Sequence, residues 1–292
     1  MGQSWTIATA VARPLAKIWS SGRPRQLGFH VRQLRNAVSF VAACTGIGEQ
    51  VPMALWLTWF ALRRSIQPVR SAVKTLSFQG LDLCLDWASS EHVPVREVLI
   101  RGEYWPNEAF RPSPGQCVVD VGANAGVYAV YAGRQVGSQG RVIAIEPNPS
   151  VLNRLETNVR VNGLGQICTI VPAAVSSRTG RGSLMVGANS TIGYLVEPGQ
   201  SGIDVPIRSL DEILRECAVD DIDLMKIDVE GEELAVLQSG PAAVRRCRRI
   251  AVEVSDTTGD DVAHELGSAG FDGVFRVDTG RGFLIFGERS PR

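Results

Sequence analysis

The sequence has few of the residues that build metal centres and disulfide frameworks. Three histidines and six cysteines are scattered over 292 residues, and no two cysteines have the C-x-x-C spacing. A zinc site with His and Cys ligands is therefore not expected. Buried, reduced thiols are the expected state of the cysteines, as in a cytosolic protein.

The chain also lacks an apolar run long enough to cross a bilayer. Residues 51–62, VPMALWLTWFAL, form a run of twelve, whereas a transmembrane helix needs about 20 residues. The first 25 residues are polar and basic, and no early apolar core leads to a small-residue cleavage site. We therefore expect neither a membrane-spanning helix nor a cleaved secretory signal.

Acidic residues are almost missing from the front of the chain. Residues 1–75 hold ten Lys and Arg and a single acid, Glu49, while the remainder holds 20 bases and 29 acids. Residues 27–41 repeat Leu and Val at helical spacing, which is typical of a basic amphipathic helix in this setting. The prediction is a basic, partly apolar helical extension over residues 1–75. Two interpretations stay open: the extension packs on the main domain, or residues 1–64 lie on an anionic membrane surface.

What the chain does have is a glycine-rich unit near its middle. An apolar run ends in Asp120, the turn D-V-G-A-N-A-G follows with Gly122, Asn124 and Gly126, and a second apolar run ends in Glu146. Strand, glycine turn, helix, strand and acid together are typical of a nucleotide-binding βαβ unit. The glycines let the backbone turn sharply and lie close to a ligand. The second acid is placed where a carboxylate accepts hydrogen bonds from both hydroxyls of a ribose.

The turn departs from the dinucleotide-binding fingerprint. The pattern G-x-G-x-x-G requires glycine at position 124, and the side chain of Asn124 narrows the space for a pyrophosphate. Asp120 adds negative charge, which disfavours phosphates but suits a ligand that carries an amine and a positive charge. S-adenosylmethionine (SAM), with its ammonium and sulfonium groups, is such a ligand. SAM is therefore the predicted cofactor, and NAD is the alternative.

The surrounding pattern predicts an α/β fold with a mostly parallel sheet. Residues 76–114 are expected to form a hairpin around Gly80 and a lead-in loop, and residues 115–292 to form one domain of alternating strands and helices. The last two strands, joined by a short turn, must pair antiparallel. Residues 177–182 are expected to form a turn. The polar, glycine-rich stretch at 189–202 is the candidate substrate lid.

Carboxylates lie at or near the ends of several predicted strands. Besides Asp120 and Glu146, Asp228 ends the predicted fourth strand at 222–228, and Glu253 lies in the fifth. Ligands of parallel α/β sheets bind beyond the carboxyl ends of the strands, so these side chains are expected at one site. Small residues at 173–174 would let an adenine ring lie against the backbone.

These motifs resemble those of the FkbM family of SAM-dependent methyltransferases. The similarity rests on D-V-G-A-N-A-G-V-Y at 120–128, E-P-N-P at 146–149, K-I-D-V-E-G-E-E at 226–233 and G-E-Y at 102–104, and it covers about residues 76–253. The resemblance implies a class I methyltransferase, Rossmann-like sheet of seven mostly parallel strands, the last antiparallel, with helices on both faces. It also implies SAM as the cofactor and methylation of a hydroxyl on a small molecule, polyketide or sugar.

The candidate site residues come from these motifs. The expected cofactor-binding residues are Asp120, Gly122, Asn124, Gly126, Glu146, Pro147, Asn148, Ala174 and Asp228. A hydroxyl nucleophile must lose its proton as it attacks, and no histidine stands near a motif. The expected catalytic residues are Asp228, Glu230, Lys226 and Glu253.

The roles of these catalytic candidates stay open in part. Lys226, Asp228 and Glu230 share one face if strand alternation persists to the end of the fourth strand. Either Glu230 or Glu253 can serve as the base beside Asp228. A Mg²⁺ site made of the three carboxylates is the weaker alternative, and no metal is predicted.

The predicted function is that of a SAM-dependent O-methyltransferase acting on a small-molecule, sugar, polyketide or glycolipid hydroxyl. One alternative is an NAD-dependent oxidoreductase, which Asn124 and the lack of a Tyr-x-x-x-Lys or His base disfavour. Another is a non-catalytic, membrane-docked SAM-binding module, which the intact site acids disfavour. A nucleic-acid methyltransferase is not expected, because the body is acidic and has no N-P-P-Y motif. The expected location is cytoplasmic, with attachment to the inner membrane surface if the extension docks there.

Overall fold

The computed structural model describes residues 73–86, 89–187, 193–196, 201–255, 257–280 and 282–290. The predicted helical extension lies outside these residues except for residues 73–75, which belong to a strand instead. Two compact units divide the chain, Met1–Ala72 and Val73–Arg292, and the described residues belong to the second. Within these described ranges, no helix has the length and apolarity needed to cross a membrane.

The described residues form thirteen strands. In chain order they are β1 Val73–Phe78, β2 Leu81–Asp86, β3 Cys117–Val121, β4 Arg141–Ile145, β5 Cys168–Val171, β6 Ala174–Val175, β7 Gly180–Val186, β8 Gly193–Val196, β9 Ile203–Arg208, β10 Ile222–Ile227, β11 Cys247–Val254, β12 Gly273–Asp278 and β13 Phe283–Glu288.

Seven of these strands form the central sheet, in the order β12-β13-β11-β10-β3-β4-β5. The pairs β11–β10, β10–β3, β3–β4 and β4–β5 are parallel. β13 runs antiparallel to both of its neighbours, β11 and β12. The predicted class I methyltransferase sheet, with seven mostly parallel strands and an antiparallel last strand, is therefore confirmed.

Within the described part of the chain, six α-helices of at least six residues accompany the strands. They are α1 Val127–Val136, α2 Pro149–Val161, α3 Leu210–Glu216, α4 Glu233–Ser239, α5 Pro241–Arg246 and α6 Gly259–Ser268. A short helical turn, His92–Pro94, continues into a π-helical segment, Val95–Arg101, in the lead-in region. Short 3-10 segments lie at Glu108–Phe110 and Gly137–Gln139.

The core lies on both faces of the central sheet. Val119 and Val121 of β3 belong to one large apolar cluster with side chains of α3, α4, α5 and α6. Val118 points to the other face and is equally buried. The helix α1 packs on β3 and β4, but its side chains are not part of that cluster, so it covers the opposite face. Burial on both faces explains the nearly continuous apolar runs of the central strands.

A second, four-stranded sheet corrects two predictions. Its order is β6-β9-β7-β8, and it includes residues 180–182 of the predicted turn at 177–182 and residues 193–196 of the predicted lid loop at 189–202. Gly193–Val196 is a strand paired with β7, while residues 188–192 and 197–200 lie outside the described ranges. A Cβ on Gly193 would lie 3.1 Å from the side chain of Leu184. Glycine at this position therefore lets the two strands approach closely. In the sequence alone, the same glycine suggests a loop.

The predicted hairpin around Gly80 is present as β1 and β2. Asn158 of α2 and Asn162, the C-cap of that helix, attach it to the domain. Asn158 accepts from the amide of Cys84 at 2.5 Å and donates to its carbonyl at 3.1 Å, and Asn162 makes the same two contacts with Asp82 at 3.0 and 2.7 Å. The edge of β2 is therefore held by side-chain amides that imitate a neighbouring strand.

Candidate cofactor and catalytic site

The glycine turn after β3 brings backbone close to backbone at the carboxyl end of the sheet. Gly122 has φ +81°, and a Cβ there would lie 1.8 Å from the carbonyl oxygen of Asp228. Its amide and that of Ala123 donate to the carbonyl of Ile145 at 2.9 and 3.0 Å. Asn124 also adopts a left-handed conformation, with φ 52°. Only a residue without a side chain fits at 122, so the D-V-G motif is explained by the approach of β10 to this turn.

Gly126 serves the helix rather than the pocket. It caps α1 with φ +84°, and a Cβ there would lie 2.4 Å from the side chain of Leu155 in α2. It lies outside the pocket wall. Its place in the motif is therefore explained by the packing of α1 against α2.

Glu146 is held in a fixed orientation by the backbone around it. Its side chain is 6% exposed, and its two oxygens accept from the amides of Asn124 and Asn148, each at 2.8 Å. Burial raises the pKa of Glu146 to about 7, although both amides oppose this shift. A carboxylate offers about four acceptor positions, so each oxygen keeps one for a ligand hydroxyl.

Asn148 and Pro147 have different positions beside this carboxylate. Pro147 lies in the pocket wall, whereas Asn148 is buried and caps α2 by accepting from the amide of Ser150 at 3.0 Å. Asn148 is thus the N-cap of α2, and Pro149 is the first residue of the helix. Asn148 thus orients Glu146 from behind the wall.

Asp120 and Lys226 form a buried ion pair under the site. Their Oδ1 and Nζ atoms are 3.1 Å apart, and both residues are at most 4% exposed. The register of the sheet causes this contact, because Lys226 in β10 lies directly beside Asp120 in β3. Burial raises the pKa of Asp120, and the charge of Lys226 opposes this shift. Burial lowers the pKa of Lys226, but the charges of Asp120 and Asp228 outweigh it and raise the pKa above its usual value.

Lys226 joins this pair to the pocket through Asp228. Its Nζ lies 3.5 Å from Asp228 Oδ2 and donates to the carbonyl of Gly122 at 3.3 Å. Tyr104 and Tyr128 enclose the ammonium group, with ring centroids at 5.2 and 5.8 Å. Neither Asp120 nor Lys226 lines the pocket, so both lie one layer below the predicted ligand.

Asp228 and Glu230 lie where the chain turns away from β10. The strand ends at Ile227, so alternation along β10 does not extend to Glu230, contrary to the expectation that both share a strand face with Lys226. Glu230 reaches the pocket wall by a left-handed turn instead, with φ 54°. Burial, followed by the charge of Asp228, raises the pKa of Glu230 to about 7. A non-glycine residue in this conformation is strained, and such strain clusters at functional sites.

Glu253 lies behind Asp228 and is connected to it by a tyrosine. The hydroxyl of Tyr104 lies 2.6 Å from Glu253 Oε2 and 3.2 Å from Asp228 Oδ2. Burial, followed by the charge of Asp228, raises the pKa of Glu253 to about 8. Glu253 is not in the pocket wall, whereas Asp228 is. Tyr104 was not among the predicted site residues, although the G-E-Y motif at 102–104 contained it.

The pocket has an apolar side that the sequence only partly indicated. Ala174, predicted to lie against an adenine ring, lines it together with Ala173 and Val175. The second sheet adds Leu184, Gly193 and Leu195, which were not predicted as site residues. The only signal for them was the glycine-rich composition around 193. The pocket therefore has one wall of small and branched apolar residues and one wall of carboxylates.

Glu232 is a further carboxylate of the wall that the predictions omitted. It accepts from the hydroxyl of Ser176 at 2.9 Å, which ties the turn after β10 to the end of β6. Throughout the described ranges, no group of three His, Cys, Asp or Glu side chains is arranged to hold a metal ion.

Comparison with known proteins places this arrangement among methyltransferases. The family model described as "Methyltransferase FkbM domain" matches residues 120–274, which is more than half of the chain. These residues run from Asp120 to β12 and include both walls of the pocket.

Two curated relatives and one solved structure illustrate the similarity. The AMB antimetabolite synthetase AmbE of Pseudomonas aeruginosa is 30% identical over a match that covers 61% of this chain and 10% of that protein. The hexuronic acid methyltransferase AglP of Haloferax volcanii is 28% identical, over 46% of this chain and 54% of that protein. The chain thus spans about half or less of the length of these relatives. The crystal structure of a methyltransferase FkbM from Methylobacillus flagellatus has a TM-score of 0.48 and 16% identity, covering 86% of this chain and 59% of that one.

Proposed function

The chain belongs to the FkbM family of methyltransferases, and on that premise we propose that it methylates a hydroxyl group of a small molecule, sugar, polyketide or lipid-linked acceptor. S-adenosylmethionine is its cofactor. The family assignment also removes the NAD-dependent oxidoreductase from consideration.

The residues of the pocket fit SAM. Gly122 in the backbone turn lines the pocket, so a ligand can lie directly against its main chain. Glu146 keeps acceptor positions for the ribose hydroxyls, and the apolar wall around Ala174 suits adenine. Asp228 supplies negative charge for the cationic methionine portion. When bound, SAM supplies an electrophilic methyl group on a positively charged sulfur.

The single observation that carries the choice of a hydroxyl is the acidic wall beside this cradle. Asp228 and Glu230 both line the pocket, and the pKa of Glu230 is raised to about 7. A hydroxyl becomes an effective nucleophile only if its proton is removed during attack. A base is most effective when its pKa lies near the working pH, and this condition is met here.

The charge of the pocket wall also limits which acceptor molecules can bind. The wall contains four carboxylates, Glu146, Asp228, Glu230 and Glu232, and no Lys, Arg or His among its described residues. An anionic acceptor would be repelled, so neutral polyols and amino sugars fit this site better. The relative AglP bears the name of a hexuronic acid methyltransferase, and acids therefore belong in the test as well.

The test is an acceptor screen with product analysis. The purified protein is incubated with SAM and with panels of sugars, polyketides, phenols and amines, and S-adenosylhomocysteine is measured. Mass spectrometry and NMR then locate the new methyl group. We expect an O-methyl product, and an N-methyl or C-methyl product would contradict the proposal.

Two substitutions test the acidic wall in the same assay. General base catalysis is worth about 10²–10⁴-fold, so Glu230→Gln or Asp228→Asn should lower kcat by about that factor. Glu156→Gln, an exposed position on α2, is the matched control. Full activity in both wall variants would show that neither carboxylate accepts the proton.

We also propose that residues 1–64 bring the domain to an anionic membrane surface, where a lipid-linked acceptor would be found. The excess of ten bases over one acid in residues 1–75 supports this proposal. A non-catalytic, membrane-docked binding module remains the competing proposal, and turnover in the acceptor screen separates the two.

A further inference from the structure

Tyr104 occupies an unusual position between two carboxylates. Its side chain is 1% exposed, and its hydroxyl contacts Glu253 Oε2 at 2.6 Å and Asp228 Oδ2 at 3.2 Å. A tyrosine hydroxyl carries one proton, so it can donate to only one carboxylate at a time. The other contact is a hydrogen bond only when that carboxyl holds a proton of its own.

The two carboxylates differ in their access to the pocket. Asp228 is in the pocket wall, whereas Glu253 lies behind it on β11. Tyr104 therefore spans the layer between a group that can meet an acceptor and a group that cannot. The ring is fixed by an edge contact with Tyr128 at 5.7 Å and by the ammonium group of Lys226 at 5.2 Å. This packing keeps the hydroxyl between the two carboxylates.

The surroundings of Glu253 favour its protonated form. Burial is the largest cause that raises its pKa to about 8, followed by the charge of Asp228, with a further contribution from Glu97. The hydrogen bond from Tyr104 and the charge of Lys226 oppose this shift. Near neutral pH, Glu253 is thus mostly protonated, and once it is ionised it is a stronger proton acceptor than an ordinary glutamate.

We propose that Asp228, Tyr104 and Glu253 form a proton relay that leads away from the pocket and ends at Glu253. The proposal rests on the proposed function, because it assumes that the acceptor releases a proton. Tyr104 is a positioning residue in this relay, since it acts between the two carboxylates and does not line the pocket.

The relay starts with SAM bound and with both Asp228 and Glu253 ionised. An oxygen lone pair of the acceptor forms the new bond to the methyl carbon, the carbon–sulfur bond breaks, and its electron pair stays on sulfur. The O–H proton passes to Asp228 Oδ2. Asp228 then gives a proton to the Tyr104 oxygen while the Tyr104 hydroxyl gives its proton to Glu253 Oε2. The relay ends with Asp228 ionised again and Glu253 protonated.

The relay can be tested without an identified acceptor, by measuring protons released when SAM binds. A cation in the pocket favours ionised carboxylates. Binding of SAM should therefore cause Glu253 to lose its proton by way of Tyr104 and Asp228. Calorimetric titrations at about pH 8 in two buffers of different ionisation enthalpy report the protons released per SAM, at most about half a proton. S-adenosylhomocysteine, which lacks the sulfonium charge, is titrated for comparison.

The variants in this test are Tyr104→Phe, Glu253→Gln and the matched control Tyr128→Phe, which removes the hydroxyl of the neighbouring ring. We expect wild type and the control to release protons with SAM and less with S-adenosylhomocysteine. Glu253→Gln should release almost none. The release from Tyr104→Phe at about pH 8 should differ from that of wild type, because an ionised Glu253 without its donor has a still higher pKa and titrates at a higher pH.

The possible results separate the two proposals. Equal release from Tyr104→Phe and wild type would overturn the relay, and so would equal release from Glu253→Gln. Failure of the wild type to bind SAM would instead overturn the proposed function. If Tyr104→Phe does not fold, infrared titration decides: a carboxyl band with a midpoint near 8 that Glu253→Gln removes supports the relay, and the absence of such a band in the wild type overturns it.

Discussion

At the residue scale, two effects act in opposite directions on the ionisation of Glu146. Its orientation is fixed by the amides of Asn124 and Asn148, which favour the ionised form, yet burial outweighs them and raises its pKa to about 7. The carboxylate is thus ready to accept hydroxyl hydrogen bonds only where it is ionised. Its ligand contacts should therefore depend on pH within the physiological range.

We predict that SAM affinity falls as the pH decreases through about 7, since protonation of Glu146 removes an acceptor. Above that pH, Glu146→Ala should weaken SAM binding by about 1–3 kcal/mol, because a charged hydrogen-bond acceptor is lost. Titration calorimetry from acid to alkaline pH measures both effects.

The control for this prediction is the pH dependence of the variant itself. Glu146→Ala should bind SAM with a weaker dependence on pH than wild type, since Glu230 titrates in the same range and remains. Unchanged affinity in the variant would remove the assignment of Glu146 to the ribose.

At the element scale, α2 connects the hairpin to the glycine turn. The buried Asn158 donates to the carbonyl of Ala125 at 2.7 Å as well as contacting Cys84 on β2. One side chain thus holds the edge of β2 and the turn that forms the pocket floor. Arg154 adds an ion pair to the buried Glu91, which in turn accepts from the amide of Asp86 at 2.7 Å.

We predict that Asn158→Ala lowers the free energy of unfolding by about 1–3 kcal/mol for each buried backbone group left without its partner. SAM affinity should fall too, because the Ala125 carbonyl in the glycine turn loses its donor. Chemical denaturation and hydrogen exchange at Cys84 measure the change. The control is Asn153→Ala on the exposed side of the same helix, and equal stability of the two variants would contradict this role.

Elements defined by local chemistry could be predicted from the sequence. The cap at Asn148, the end of α2 at Asn162 and the cap at Ser209 are each set by residues within a few positions of the helix end. The glycine turn and Glu146 belong to one βαβ unit for the same reason. Prediction was reliable where a structural feature is determined by contacts between residues that are close together in the sequence.

Features that depend on long-range contacts could not be predicted. Tyr104 and Glu253 are 149 positions apart, and only the packing of the lead-in region on the sheet brings them together. The strands β7, β8 and β9 were missed because they contain Gly180, Gly182, Gly193 and Pro206, which locally favour turns. Their pairing compensates for that local preference, and such compensation is not visible in a single sequence.

On the scale of the whole molecule, charge is divided unevenly along the chain. The domain that carries the pocket is acidic, whereas residues 1–75 have an excess of nine bases. A basic segment is attracted to anionic lipids by about 1 kcal/mol for each Lys or Arg near the surface. This division of charge is the basis of the proposal that residues 1–64 dock on an anionic membrane surface.

We predict that the full-length protein binds vesicles containing phosphatidylserine and does not bind neutral phosphatidylcholine vesicles. Replacing Arg32, Arg35, Arg63 and Arg64 with Gln should reduce this binding by at least about tenfold, given the attraction per basic residue. Vesicle sedimentation measures the effect, and SAM titration of the same variant should be unchanged. Equal binding of variant and wild type would favour packing of the extension on the domain.

The most direct measurement of the central claim is a calorimetric titration of the full-length protein with SAM and, separately, with NAD⁺. The account predicts micromolar SAM binding, which corresponds to about −8 kcal/mol, and no binding of NAD⁺. It also predicts that Glu146→Ala weakens the SAM isotherm. NAD⁺ binding, or the absence of any SAM binding, would contradict the assignment of this pocket to the methyl donor.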